Sequence, residues 1–327
     1  MTSQKPMGGR AAANQVPGRK PGDERPSDGE VAHRKAASKL AREREAQDGE
    51  DEAEKLDHDD DVELSESESE QVEERETTAS RVVHEVIRRQ GIEEMNRPAV
   101  SLMWSGFAGG VGIFASIMGH ALLEHHLPDT PWRPAVSALG YSLGFLIVIM
   151  GRLQLFTEST LSAVIPVATR PSPRLFFELG RLWSIVFLFN ILGTLVTAVM
   201  VHYDWIGSAE VSAAILETSR VIADHSGWSA LRAGIPAGFL MAAIAWSLPT
   251  ARRQEFWIIL FFTYFISLGG FAHVIAGSGE AWILWLAGDK SLEWVVGSFL
   301  LPALAGNILG GSALFALLAH AQVHHEI

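Results

Sequence analysis

The sequence predicts an all-α membrane protein with six transmembrane spans, arranged as two inverted three-helix repeats with broken second and fifth helices. Three observations predict it. Six apolar segments cover about 98–123, 134–168, 174–201, 228–249, 256–288 and 294–320, and a span needs roughly 20 apolar residues. The second and fifth are too long for one simple helix, and each is interrupted, by Met150–Pro166 and by the glycine-rich Gly269–Ala281. Short motifs also recur: Phe189–Gly193 reads FNILG and Gly306–Gly310 reads GNILG, with the asparagines 117 residues apart.

Taken in order, the chain begins with a polar stretch. Residues 1–79 are expected to form a disordered acidic cytoplasmic tail, because so little apolar area cannot offset the entropy of ordering it. The first 80 residues carry 12 basic and 22 acidic side chains, so most of the net charge of −12 lies there. The first ten residues lead into charged sequence with no apolar core of the signal-peptide kind, so the apolar segments are expected to serve as the membrane address. The chain has no cysteine, which excludes disulfides and thiolate metal sites.

Residues 80–97 read as an amphipathic surface helix. Val82, Val83, Val86, Ile87 and Ile92 recur near helical spacing, with Arg81, Arg88, Arg89, Glu93 and Glu94 between them. The six-span transmembrane domain then occupies 98–327. Glycines at 106, 109, 110 and 112, and again at 306, 310 and 311, suit close helix packing in lipid. Trp132, Trp205, Trp228, Trp257 and Trp294 fall near span ends and read as interfacial anchors.

Loop charge sets orientation. Arg81, Arg88, Arg89, Arg97, Arg170, Arg174, Arg181, Arg252 and Arg253 fall on one side, against Arg133, Arg220 and Lys290 on the other. Basic residues favour the cytoplasm, so both termini are expected there. Three spans per repeat is an odd number, which forces the halves into opposite orientation. The breaks fit the same repeat when Leu155-Phe156-Thr157 is set against Phe271-Ala272-His273, an offset of 116.

Polar residues at membrane depth are costly and mark function by default. Arg152, Gln154, Thr157 and Glu158 lie in the first break, and His273 and Glu280 in or after the second. Pairing of Arg152 with Glu158 or with Glu280 would neutralise them. Thr157 and Gln154 are candidates to cap the half-helix that follows the first break. The adjacent pairs His125-His126 and His324-His325 do not share a helix face, so no metal site is read from them. No nucleophile elbow or phosphate loop appears, and an enzyme is not expected.

Four motifs, in the right order and spacing, resemble the formate/nitrite transporter family over about residues 80–327. Gln154-Leu155-Phe156-Thr157 is similar to the family's E-L-F-T, and Gly270-Phe271-Ala272-His273 to its G-F-E-H. Phe189–Gly193 and Gly306–Gly311 resemble its two asparagine-containing packing motifs, carried by Asn190 and Asn307. Gln154, Ala272, Arg152, Gly277 and Gly238 depart from the usual family residues, and the form GRxQLFTExT resembles a less characterised branch.

The resemblance implies an aquaporin-like protomer in a homopentamer in a bacterial inner membrane. Each protomer would pass small anionic solutes or their weak acids, with no cofactor and no nucleic-acid partner. Thr157 and His273 are then expected to face each other at the pore centre. Leu155 and Phe156 are expected to form one apolar constriction, and Tyr141, Phe145 and Ile266 the other. The hydroxyl of Thr157 and the imidazole of His273, with a reference pKa of about 6.5, would lend a hydrogen bond or a proton to the solute. Two other readings compete: a pore of the same fold for a small neutral solute, and a non-transporting scaffold that acts through the acidic tail.

Overall fold

Lipid offers no hydrogen bonds, so a chain that crosses it must satisfy its backbone internally, and a helix does so within one segment. The computed structural model describes residues 80–324 except Arg252, and these residues contain helices and no strands. The acidic tail, Arg252 and His325 lie outside the described residues. Five helices are long and apolar enough to cross a membrane: Ala99–His126, Arg133–Met150, Pro173–His202, Trp228–Thr250 and Trp294–Val323. The fifth span is two shorter pieces, Glu255–Leu268 and Val274–Leu286. The second is likewise broken, with Arg133–Met150 followed by Phe156–Ser162 and Val164–Thr169. The six spans and the two breaks follow the sequence expectation.

Local signals set the ends. Ser172 caps the third span by accepting a hydrogen bond from the Leu175 amide at 3.3 Å, and Pro173 opens it. The first half of the second span closes at Gly151, the first half of the fifth at Gly269. The sixth span is wider-wound than an α-helix over Trp294–Leu300 and Leu309–Ala316, where it has π geometry. Such stretches tend to occur at functional or tightly packed places.

Close approach of backbones explains the small residues. A Cβ on Gly110 would run into the Asn190 carbonyl, and a Cβ on Gly238 into the Asn307 carbonyl. The first span is thereby held against the third and the fourth against the sixth, in matching fashion in the two halves. Large apolar side chains such as Trp104, Phe177, Leu188, Trp257 and Phe261 remain exposed on the outside of the bundle, as expected of a lipid-facing or subunit-facing surface.

Four of the five anchor tryptophans are exposed. Trp294 is not: it stacks on Phe299 and lies under the Lys290 ammonium, 4.9 Å from the ring centre. A helix over Ala209–Ser219, continued by a 3-10 turn to Asp224, sits between the third and fourth spans and was not expected. It packs on the first span and on Val274–Leu286. Its sequence signal is the Ser208 cap ahead of the buried Ile215.

The helix Ser80–Asn96 buries Val83, Ile87, Gly91 and Met95. Gly91 lies so close to the Ser162 carbonyl that no side chain fits between them. The Arg181 guanidinium holds the far end of this arm by bonding the backbone carbonyls of Met95 and Arg97.

Candidate functional site

Both breaks are built the same way. After Met150 the chain turns through Gly151 and Arg152; the Leu153 amide bonds Val148 O at 3.0 Å and the Arg152 amide bonds Ile149 O at 3.1 Å. After Leu268 it turns through Gly269 and Gly270; the Phe271 amide bonds Ile266 O and the Gly270 amide bonds Ser267 O, both at 3.0 Å. These are paired Schellman closures, which require a left-handed residue after the cap. Gly270 supplies it at φ +62°, and Arg152, less comfortably, at φ +56°.

Three residues outside any helix follow each turn, the last of them, Leu155 or His273, extended, and a half-helix then starts at Phe156 or Val274. Asn190 bridges the first gap: its Oδ1 accepts from the Phe156 amide at 2.9 Å, and its Nδ2 donates to Gly106 O at 2.7 Å and Gln154 O at 2.9 Å. Asn307 bridges the second: Oδ1 accepts from Val274 N at 2.9 Å, and Nδ2 donates to Gly234 O at 2.9 Å and Ala272 O at 2.8 Å. Both asparagines are fully buried. They were expected to pack helices; they also supply the hydrogen bonds that the broken backbone loses.

This pairing corrects the register of the repeat. Phe156 matches Val274 and Gln154 matches Ala272, an offset of 118 and not 116. Leu155 is therefore the counterpart of His273, both being the residue before a half-helix. The capping expectation is corrected too. Neither Thr157 nor Gln154 caps the first half-helix with its side chain, because Asn190 takes its leading amide.

Thr157 and His273 meet where the starts of the two half-helices converge. Thr157 Oγ1 lies 2.7 Å from His273 Nε2, with both side chains buried. The other ring nitrogen is committed: His273 Nδ1 accepts from the Ala276 amide at 3.2 Å. An accepting Nδ1 carries no hydrogen, so in the neutral ring the hydrogen is on Nε2, which donates to Thr157. The threonine hydroxyl then keeps its own hydrogen for another acceptor. A charged ring would present N–H to N–H at Ala276 and would have to release that cap.

Aromatic residues line one side. Phe145 stands edge-on to the imidazole, with centroids 4.8 Å apart, and Tyr141 lies 5.3 Å from Phe145. Tyr141, Ile266, His273 and Glu280 border one small cavity of about 50 Å³. It shares His120, Thr218 and Ser267 with a wider cavity of about 620 Å³ that also holds Glu124 and Arg133. Leu155 is buried. Phe156 packs on Trp183 and Phe187 of the third span, with centroids 5.6 and 5.2 Å away.

A cavity of about 360 Å³ on the arm-helix side is bordered by Arg152, Glu158, Glu94, Ser162 and Glu255. Neither expected ion pair forms. No hydrogen bond or ion pair joins Arg152 to Glu158 among the described residues, and Glu280 borders a different cavity from Arg152. Arg152 is exposed, at the end of a turn that points it into the cavity. Gln154 is buried and its amide lies beside Glu94.

Glu94 was missed in the sequence. It accepts a hydrogen bond from the Ser162 hydroxyl at 2.7 Å. Burial pushes its carboxyl above the usual range, while Ser162, Arg97 and Gln154 pull it down. Its position in a charged arm hid it, since only the docking of the arm brings it here. Two buttresses were also missed: Ser312 donates to Thr160 O at 2.7 Å, and Thr194 and Ser278 hydroxyls lie 2.7 Å apart. Each ties a half-helix to the opposite repeat.

Comparison with known proteins agrees with this arrangement. The family model described as formate/nitrite transporter matches residues 81–321. The inner membrane protein YfdC of Escherichia coli K12 is 35% identical over 278 residues, covering 83% of this chain and 89% of that protein. The formate channel FocA of Haemophilus influenzae is 26% identical over 243 residues, covering 66% and 84%. Among solved structures, a pentameric formate channel with formate bound has a TM-score of 0.59 at 19% identity, covering 69% of this chain and 98% of that one. An FNT family ion channel has a TM-score of 0.62 at 17% identity, covering 74% and 98%. The two structures share the fold. The matched length and the 35% relative show that this chain belongs to the formate/nitrite transporter family.

Proposed function

We propose that this chain forms a channel or transporter that passes small monovalent anions, or their weak acids, across a bacterial inner membrane as a homopentamer. The observation that carries this reading is the contact of Thr157 with His273, where two half-helices meet between cavities on either side. The curated relatives support it, one being a formate channel and another an inner membrane protein.

A small anion loses most of its hydration energy in an apolar passage, so the site must return hydrogen bonds or the ion must be neutralised. The free hydrogen of Thr157 is one donor for an oxyanion, and its orientation is set by His273, which is itself set by Ala276. Phe145 and Tyr141 keep the approach narrow and apolar, with Ile266 at the same cavity. Phe156 and Leu155 would act from the other side by filling space next to the half-helix start. The solute leaves with its covalent skeleton unchanged, and at most a proton joins and leaves it on the way.

The test is uptake of formate, nitrite, acetate, hydrosulfide and glycerol by proteoliposomes at two pH values, with His273→Ala alongside. Loss of uptake in the variant supports the reading. Uptake of glycerol alone would move the assignment to a neutral solute, and unchanged anion uptake in the variant would remove His273 from the path.

A further inference from the structure

The cavity beside His273 holds a carboxyl that the site so far does not use. Glu280 is 8% exposed, borders this cavity, and makes no hydrogen bond or ion pair among the described residues. The other ionisable groups around it are His120 from the first span, Tyr141 from the second, His225 after the outer helix, and His273 itself, with the hydroxyl residues Thr218 and Ser267 beside them. No arginine or lysine borders this cavity. On the other side of the Thr157–His273 contact stands Glu158, whose carboxyl also lacks a hydrogen bond or ion pair among the described residues and shares the cavity of about 360 Å³ with Arg152, Glu94 and Glu255.

An anion pore with an unpaired carboxylate on each side of its centre is a physical contradiction. Like charges at close range in a poorly solvated passage repel strongly. The contradiction disappears when the carboxyls hold and pass protons. Resting on the weak-acid reading above, we infer that Glu280 is a proton-donating residue of the passage and Glu158 its accepting counterpart, so that the species crossing the Thr157–His273 contact is the neutral acid.

The step balances. The O–H bond of Glu280 breaks, its proton joins an oxygen of the incoming carboxylate or nitrite-like anion, and Glu280 is left ionised. The neutral acid crosses the centre, where Thr157, oriented by His273, offers a hydrogen bond without a fixed charge. The Glu158 carboxylate then takes the proton from the acid, and the anion leaves through the cavity that Arg152 borders. Glu280 regains a proton from water on its own side, and Glu158 releases one on the other. One proton moves with each anion, and the cycle runs in either direction. The ligand class is a small oxyacid whose acidity is close to that of a side-chain carboxyl.

The test uses full-length protein in proteoliposomes loaded with a pH-sensitive dye, with a formate gradient and the variants Glu280→Gln, Glu280→Asp and Glu158→Gln. Pentamer assembly is checked by size-exclusion chromatography. The wild type should acidify the lumen as formate enters. Glu280→Gln should assemble normally and lose formate-driven acidification by about tenfold or more, in keeping with the usual effect of removing a proton-transfer group. Glu280→Asp should recover part of it, which a purely structural role would not require.

Five results would overturn the inference. Formate uptake that proceeds as current without acidification would do so while leaving the weak-acid channel standing. So would Glu280→Gln with wild-type rates and pH profile, or with faster uptake, since Glu280 would then be a barrier and not a donor. Carriage of ammonium in place of formate, abolished by Glu280→Gln, would assign the carboxyls to a cation. Wild type that carries no weak acid would remove both this inference and the reading beneath it.

Discussion

Asn190 and Asn307, 117 residues apart, make the same three hydrogen bonds. Each accepts from the first amide of a half-helix, donates to the carbonyl two residues before it, and donates to a carbonyl of a neighbouring span. Without them the two breaks would leave amides and carbonyls unpaired in a membrane interior. The half-helices can stop at the centre only because two side chains replace the missing helical bonds.

Asn190→Ala and Asn307→Ala should therefore each destabilise the protein by several kcal/mol. Each strands the two backbone groups of its break, an amide and a carbonyl, at about 1–3 kcal/mol apiece. Asn190→Asp should be little better, since it keeps the acceptor and loses both donors. Thermal melting in detergent, read as loss of a monodisperse oligomer, checks this. Equal and near-wild-type melting for both alanine variants would contradict the account of the breaks.

Arg152 occupies a left-handed position where its counterpart is Gly270. Arg152→Gly should relieve roughly 1 kcal/mol of backbone strain and leave the fold intact or slightly more stable. The same change removes the cation at the mouth of the cavity on the arm-helix side, so anion uptake should fall severalfold and depend less on salt. Melting temperature and uptake rate, measured on the same preparation, separate the two effects. A fall in both together would make Arg152 structural.

The His84 end of the arm helix should loosen as pH falls. His84 Nε2 lies 3.0 Å from His320 Nδ1, a contact that needs one ring to donate and the other to accept. Burial and the neighbouring His320 and Arg88 lower the His84 pKa below 6.5, against the Glu85 carboxylate, which raises it. Between that lowered value and 6.5 the undocked arm binds a proton that the docked arm does not. Docking is thus favoured at higher pH and weakens as pH falls through this window. Hydrogen exchange of residues 80–96 at pH 7.5 and 5.5 tests this, and His84→Gln should flatten the difference. Glu85, held near pKa 2 by Arg88 and Arg89, stays ionised throughout and should not contribute.

Gly110→Val and Gly238→Val should be equally damaging, because each glycine lies against the backbone of an asparagine at the same place in its repeat. Insertion of either side chain would push the first span from the third, or the fourth from the sixth. Loss of oligomer in one variant only would indicate that the halves are not mechanically equivalent.

Much of this was legible in the sequence because lipid is a severe solvent. Apolar length identified the six spans, and the interruptions at Gly151-Arg152 and Gly269-Gly270 marked the breaks. Thr157 and His273 were legible through polarity at depth and through family motifs. What was hidden depends on partners brought from far along the chain. The two asparagines read as packing residues, since nothing local says that their amides replace helical hydrogen bonds. That in turn made the break register slip by two, because Thr157 and His273 were aligned as equivalents when they only touch. Glu94 reads as one charge among several in an exposed arm, and only the docking of Gly91 on Ser162 brings it inward. Charge alone pairs Arg152 with Glu158 or Glu280, whereas its turn aims it into a cavity that Glu158 borders and Glu280 does not.

The most direct test of the central claim is stopped-flow light scattering of proteoliposomes in a formate gradient, at pH 7.5 and 5.5, with wild type, His273→Ala and Thr157→Val. The account predicts wild-type uptake that is faster at the lower pH and falls by about tenfold or more in both variants, which remain assembled. Uptake that is unchanged in both variants at both pH values would place the solute path elsewhere in the protein.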